Sequence, residues 1–192
     1  MTDGHKLAEP VSLPMVKKIS RQLQSKLARV KLFLCDVDGV LTDGSIFITA
    51  DSEFKQFSIQ DGLGMILLRR EGIKVGWISA RPSVVTTRRA EELKIDFLSQ
   101  VKTGKAAEVE KILAVAGCGW AEICFVGDDV VDLAVLKRAG VAVAVANAIP
   151  EVKAIADYVT AARGGHGAVR EVATLILRAQ KKWARLVKDY TL

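Results

Sequence analysis

The sequence predicts an α/β protein built on a doubly wound parallel sheet. Short, almost wholly apolar runs recur at Val30–Cys35, Lys74–Ile78, Ile123–Val126 and Val141–Val145, as expected of strands covered by helices on both faces. Helical patterns separate them, at about Leu63–Arg70, Val84–Leu93, Lys105–Val115 and Val130–Arg138, and this alternation is the signature of successive βαβ units. The length of 192 residues, half of them apolar, suits one domain with a substantial core.

Along the chain, residues 1–12 are expected to be disordered and 13–192 to form the single domain. Val16, Ile19, Leu23 and Leu27 recur every three to four residues, so a first amphipathic helix is expected over Met15–Val30. After the first strand the rhythm changes. Ser45–Thr49 and Phe54–Ser58 alternate with period two around the turn-like Ala50-Asp51-Ser52-Glu53, which predicts a projecting β-hairpin over about 45–59. A short run at Phe97-Leu98 adds a further strand end, and the chain closes with a long helix from Ala168 to about Arg185 within the segment 168–192.

Composition excludes several function classes. The longest apolar run, Ile112–Ala121, is ten residues, half of the roughly 20 that a membrane helix requires. Residues 1–10 are polar, with no apolar signal core, so a cytoplasmic protein is expected. Cys35, Cys118 and Cys124 form no CxxC pair and read as reduced thiols. The net charge of +6 is concentrated near the two termini without interleaved aromatics, which argues against nucleic-acid binding.

In an open parallel sheet, ligands bind beyond the carboxyl ends of the strands. The residues that follow the apolar runs are Asp36-Val37-Asp38-Gly39, then Ser79-Ala80-Arg81, then Lys105 shortly after Ser99, then Gly127-Asp128-Asp129. Carboxylates gathered in a low-dielectric cleft repel one another unless a cation sits among them. Mg²⁺ fits, because it takes one or two carboxylates, keeps waters and bridges to phosphate. Ser79 and Lys105 can bind the phosphoryl oxygens, with Thr103 as N-cap of a helix whose amino end faces the anion. Asp36 and Asp38 are spaced for covalent phosphoryl transfer, one attacking phosphorus and the other moving protons. Gly164-Gly165-His166-Gly167 leads into the last helix and reads as a flexible cap or as a loop bringing His166 and Arg170 near substrate.

Two look-alikes fail. Ser99 stands where the first glycine of a P-loop belongs and Ala106 where its Ser or Thr belongs. A calcium loop beginning at Asp36 would have its glycine too early, Val40 at a ligand position and Phe47 in place of the closing Glu.

Asp36-Val37-Asp38-Gly39-Val40-Leu41-Thr42, Ser79, Lys105 and Gly127-Asp128-Asp129 resemble the four ordered motifs of the haloacid dehalogenase-type phosphatases. Asp61-Gly62-Leu63-Gly64, Ile78-Ser79-Ala80-Arg81 and Gly164-Gly165-His166-Gly167-Ala168-Val169-Arg170-Glu171 are similar to the 3-deoxy-D-manno-octulosonate 8-phosphate phosphatase branch, over about residues 30–180. The resemblance implies a Rossmann-like, capless fold, a homotetramer and a Mg²⁺-dependent phosphomonoesterase acting on a small phosphorylated sugar acid, in lipopolysaccharide precursor synthesis. It implies Asp36 as nucleophile and metal ligand. Asp38 becomes the acid/base, giving its backbone carbonyl to the metal, and Asp128 the third protein ligand. Ser79 and Lys105 become the phosphoryl binders, and Asp129 and Asp132 orient the metal site or Lys105. Arg81 becomes a candidate for the sugar-acid carboxylate, with Asp61, His166 and Arg170 as further substrate-binding candidates.

Spacing agrees with a capless fold: 40 residues separate Asp38 from Ser79, and 22 separate Lys105 from Asp128, too few for an inserted domain. Open to water, such a site is expected to be closed by hairpins and tails of neighbouring subunits. Ser79-Ala80-Arg81 stands where the branch has Thr-Gly-Arg, and Gln60 and His166 stand where it has Arg. A nine-carbon keto-acid 9-phosphate (a nononate or neuraminate) is therefore an alternative substrate. A phospho-acceptor regulatory domain is an alternative of another class, but it has no use for the acid at Asp38.

Overall fold

The computed structural model describes residues 19–102 and 104–191. Ser20 caps α1 (Arg21–Ala28) by accepting from the Leu23 N–H. The chain then enters β1 (Leu32–Cys35), buried along its whole length. A hairpin follows, β2 (Phe47–Ile48) and β3 (Glu53–Phe54), paired antiparallel. Next come α2 (Ile59–Arg70), β4 (Lys74–Ser79), α3 (Val84–Glu92), β5 (Phe97–Gln100) and α4 (Lys105–Ala116). The remainder is β6 (Ile123–Gly127), α5 (Leu133–Leu136), β7 (Val141–Ala144), α6 (Pro150–Ile155), β8 (Tyr158–Val159), α7 (Ala168–Ala179) and α8 (Trp183–Asp189).

Six strands form one parallel sheet in the order β5-β4-β1-β6-β7-β8, and the hairpin stands apart from it. From β1 the chain winds outward to β4 and β5, then returns across β1 to β6, β7 and β8. Right-handed crossovers in opposite directions place their helices on opposite faces. Accordingly α1, α2 and α7 pack together, as do α4, α5 and α6. The direction changes beside β1, so its carboxyl end is the crevice where an open α/β sheet binds ligands. The core between the layers is made by the apolar strands, with Phe33, Trp77 and Phe125 among its largest side chains.

The expected strands and the parallel, doubly wound arrangement are present. The expected last helix is instead two helices, because Lys181 adopts a left-handed conformation (φ +58°) between α7 and α8. Lys182 then reaches back to donate to the Glu71 carbonyl at 2.8 Å, and Gln180 to that of Val30 at 2.8 Å. The helix expected over Val130–Arg138 is shortened. Val130–Asp132 form a tight 3-10 turn before α5, with the Asp132 carboxylate turned back onto the Asp128 N–H at 2.9 Å. The hairpin strands are shorter than expected, and α6 and β8 are additional elements. The start of the first helix before residue 19, the tail at 1–12 and Thr103 lie outside the described residues. The N-cap of α4 is Gly104.

Candidate active site

The sheet register brings the sequence-distant candidates to one edge. Cys35 lies level with Trp77 and Val126 on its two neighbours. Asp36 therefore emerges between Ser79, the last residue of β4, and Asp128, the first residue after β6. The Asp36 N–H still donates to the Val126 carbonyl (3.0 Å), so the strand ladder fixes the backbone of this residue. Gly39 then turns the chain at φ +93°, and a Cβ here would lie 2.0 Å from Asp128 Oδ2. No other residue type could bring the two strand ends this close.

Asp36, Asp128 and Asp132 each place a carboxylate oxygen within 4.8 Å of the others. Lys105, only 4% exposed, enters from the first turn of α4 and binds two of them, Asp36 at 2.9 Å and Asp132 at 2.7 Å. One buried ammonium thus pairs with two of the three carboxylates and leaves Asp128 without an ion pair among the described residues. Burial pushes the Asp36 carboxyl up to about 7, with the charge of Asp132 adding to it and Lys105 opposing. Burial likewise raises Asp128 to about 7, reinforced by Asp36 and Asp132. Lost hydration works against the charge of Lys105, but Asp36 and Asp132 more than offset it, so its pKa lies above the ordinary lysine value.

The remaining valences discriminate among these acids. Both Asp132 oxygens are used inside the protein, one by Lys105 and the other by the Asp128 N–H. Asp128 Oδ1 is buried and has no hydrogen-bond partner among the described residues. A buried carboxylate oxygen without a donor is costly. An all-oxygen donor set with an unpartnered member is suited to a hard divalent cation.

Asp38 has other partners, Lys55 and Ser79. Ser79 Oγ lies 3.4 Å from Asp38 Oδ2. The ammonium of Lys55, whose side chain is fully buried, lies 2.7 Å from Asp38 Oδ1 and 3.1 Å from Thr86 Oγ1. Arg81 also points toward the hairpin, where Glu53 holds it at 2.6 Å and also accepts from the Ser83 hydroxyl. The sequence reading missed Lys55, Glu53 and Thr86. The signal was the period-two alternation of the hairpin, which puts Glu53, Lys55 and Phe57 on one side of the chain and Phe54 on the other.

Other candidates lie elsewhere. Asp129 is exposed and accepts from the Val130 N–H at 2.6 Å, and its charge helps to raise the neighbouring Asp128 carboxyl. Asp61 is 1% exposed, and its two oxygens accept from the backbone N–H groups of Gly167 (3.2 Å) and Arg170 (2.7 Å). That carboxylate holds the amino end of α7, where its charge also complements the helix dipole. The Arg170 guanidinium stacks over Trp183 at 5.3 Å and lines a largely apolar cavity of about 240 Å³ beneath α8. His166 is exposed, near Asp43, whose carboxyl is held below its usual value by the Ser45 N–H and, more weakly, by His166. The preceding glycines support the catalytic turn: the Gly165 N–H donates to the Val40 carbonyl at 2.9 Å, and a Cβ on Gly164 would meet the Gly39 oxygen at 1.8 Å.

Comparison with known proteins agrees with this geometry. Residues 80–172 match the model of the haloacid dehalogenase-like hydrolases. The 3-deoxy-D-manno-octulosonate 8-phosphate phosphatase of Yersinia pestis is 39% identical over 158 residues, covering 82% of this chain and 84% of that protein. The chain belongs to the 3-deoxy-D-manno-octulosonate 8-phosphate phosphatase family. A crystal structure of the Moraxella catarrhalis member, in complex with magnesium, phosphate and KDO, is 36% identical with a TM-score of 0.86, covering 88% of this chain and 98% of that one. The cobalt-bound Haemophilus influenzae member is 38% identical with a TM-score of 0.81, covering 83% and 94%. The family's Rossmann-like α/β fold is the one described above.

Asp61 offers a check on the internal architecture. Replacing it with Ala leaves two backbone donors of the α7 entry unpaired in a buried place, and hydrogen bonds to charged groups contribute about 1.5–3 kcal/mol each. Asp61→Ala is expected to lower the unfolding free energy in urea by at least about 2 kcal/mol. A wild-type midpoint and slope would contradict this assignment.

Proposed function

We propose that this protein is a Mg²⁺-dependent phosphomonoesterase that hydrolyses 3-deoxy-D-manno-octulosonate 8-phosphate to 3-deoxy-D-manno-octulosonate and phosphate. The carrying observation is the cluster of Asp36, Asp128 and Asp132, two of them paired with the buried Lys105, with Asp38 and Ser79 alongside. The names of the family members support the substrate.

In this reading Asp36 and Asp128 hold Mg²⁺, together with the backbone carbonyl of Asp38, and the unpartnered Asp128 oxygen fits that use. When bound, the ion offsets the excess carboxylate charge and that of the phosphoryl oxygens. Asp36 attacks phosphorus in line. The ester P–O bond breaks as Asp38 gives a proton to the departing sugar oxygen, leaving an aspartyl-phosphate. Asp38 then takes a proton from the attacking water, and the bond from phosphorus to Asp36 breaks, releasing phosphate. Ser79 and Lys105 bind the phosphoryl oxygens, and Asp132 holds Lys105 in place. Asp38 also argues against a phospho-acceptor switch, which is served by slow hydrolysis. Arg81, once released from Glu53, would be the group that meets the sugar-acid carboxylate. The Asp61 and Arg170 contacts support an architectural role for those residues in α7 and α8, with His166 as the substrate candidate of that loop.

The site lies on the open edge of the sheet, and the hairpin exposes Phe47, Ile48 and Phe54. These features support a homotetramer in which neighbouring hairpins and tails close the site. Sedimentation that found a fully active monomer would refute it. Free cysteines suit a reducing, cytoplasmic location, and no described helix is long and apolar enough to cross a membrane.

A panel of sugar and sugar-acid phosphates, including nine-carbon 9-phosphates, tests the activity. Phosphate release is expected to be fastest with the eight-carbon 8-phosphate and to need Mg²⁺. Faster release from a nine-carbon ester would shift the substrate, and metal-independent release would refute the mechanism. Asp36→Asn is expected to abolish turnover, and Asp38→Asn to slow both half-reactions by about 10²-fold or more. Near-normal rates in either variant would contradict the assigned role.

A further inference from the structure

Lys55 is a charged group that the chemistry above does not use. It sits on the hairpin, one residue beyond β3, yet its side chain has no solvent exposure. A buried lysine is costly unless its ammonium is paired and hydrogen-bonded. Here its partners belong to the body of the protein: Asp38 Oδ1 at 2.7 Å and Thr86 Oγ1 on α3 at 3.1 Å.

The consequence for Asp38 is geometric. The contact is an ion pair: no hydrogen bond is aligned on the buried Oδ1 among the described residues, and the Lys55 ammonium offsets the charge of that oxygen by its proximity. An ammonium has three donors and no acceptor. An oxygen 2.7 Å from it faces positive charge and N–H hydrogens, so a transferable proton is disfavoured there. The proton that Asp38 exchanges therefore favours Oδ2, the oxygen that lies 3.4 Å from Ser79 Oγ on the phosphoryl side.

We propose that Lys55 is a positioning residue for the reaction, clamping one oxygen of Asp38 from the hairpin so that the other is the one presented to the leaving oxygen and to water. The hairpin thereby contributes to proton transfer as well as to coverage of the site. Its two-stranded sheet makes no ladder with the main sheet. The Lys55 and Glu53 contacts attach β3 and the residue after it to the body. This inference rests on the phosphatase reading of the site.

The test separates leaving groups. A sugar alkoxide must be protonated as it departs, whereas nitrophenolate departs unprotonated. Lys55→Met keeps the apolar stem and removes the ammonium. With 3-deoxy-D-manno-octulosonate 8-phosphate and Mg²⁺, kcat is expected to fall at least about tenfold, with KM changing less than about threefold. The first-turnover burst of nitrophenolate from p-nitrophenyl phosphate is expected to slow less than about threefold, because that half-reaction needs no proton from Asp38. Thr86→Val, which removes the other anchor of the ammonium, is expected to shift the ratio of the two rates in the same direction and by less. It decides the matter if Lys55→Met does not fold. Equal losses on both substrates, an unchanged ratio, or a raised KM at constant kcat would overturn the proposal. Wild-type protein inert toward both esters would instead overturn the phosphatase reading and this inference with it.

Discussion

Three carboxylates and one lysine share a buried pocket at the end of the central strand, and the rest of the site answers to that imbalance. Lys105 neutralises part of the charge on Asp36 and Asp132, and Asp128 is left with a buried oxygen that no donor satisfies. Folding alone does not favour such an arrangement, since like charges in a low-dielectric setting oppose one another. A site that binds a cation and then a phosphate turns the same strain to use.

The surrounding architecture keeps this cluster together with little material. Register places Asp36 between two strand ends. Gly39 removes the side chain that would keep Asp128 away, and Gly164 lets the loop before α7 press against the same turn. Asp132 binds both Lys105 and the Asp128 backbone, which ties the turn after β6 to the start of α4. On the far side of Asp38 the hairpin supplies a second buried ammonium. Each member of the Asp36–Asp38 pair thus has its own lysine, Lys105 from α4 and Lys55 from the hairpin.

Much of this was legible in the sequence, for physical reasons. Strands buried on both faces must be apolar throughout, so β1, β4, β6 and β7 announce themselves, and acids directly after such runs must lie on the sheet's ligand-binding edge. Other features leave weaker traces. Strand β8 is two half-buried residues, too short to show a pattern. The break at Lys181 depends on a left-handed lysine and on contacts to Glu71 and Val30 from far along the chain. Asp61 and Arg170 lie in a motif-like string, but their partners are a helix terminus and an aromatic ring rather than the carboxylate cluster. Lys55 reads as an ordinary surface lysine until the hairpin folds down, because nothing local indicates that its neighbour will be Asp38.

The carboxylate cluster is short of positive charge, and a divalent cation supplies it. Burial first, and then the charge of neighbouring carboxylates, raise Asp36 and Asp128 to about 7. Below that pH the cation must displace bound protons, and above it the site is already ionised. Calorimetric titration with Mg²⁺ at pH 6 and pH 8, in buffers of different ionisation enthalpy, measures this directly. The account predicts at least about tenfold tighter binding at pH 8, with net proton release at pH 6 that fades by pH 8. Affinity independent of pH, with no proton released at either value, would contradict it.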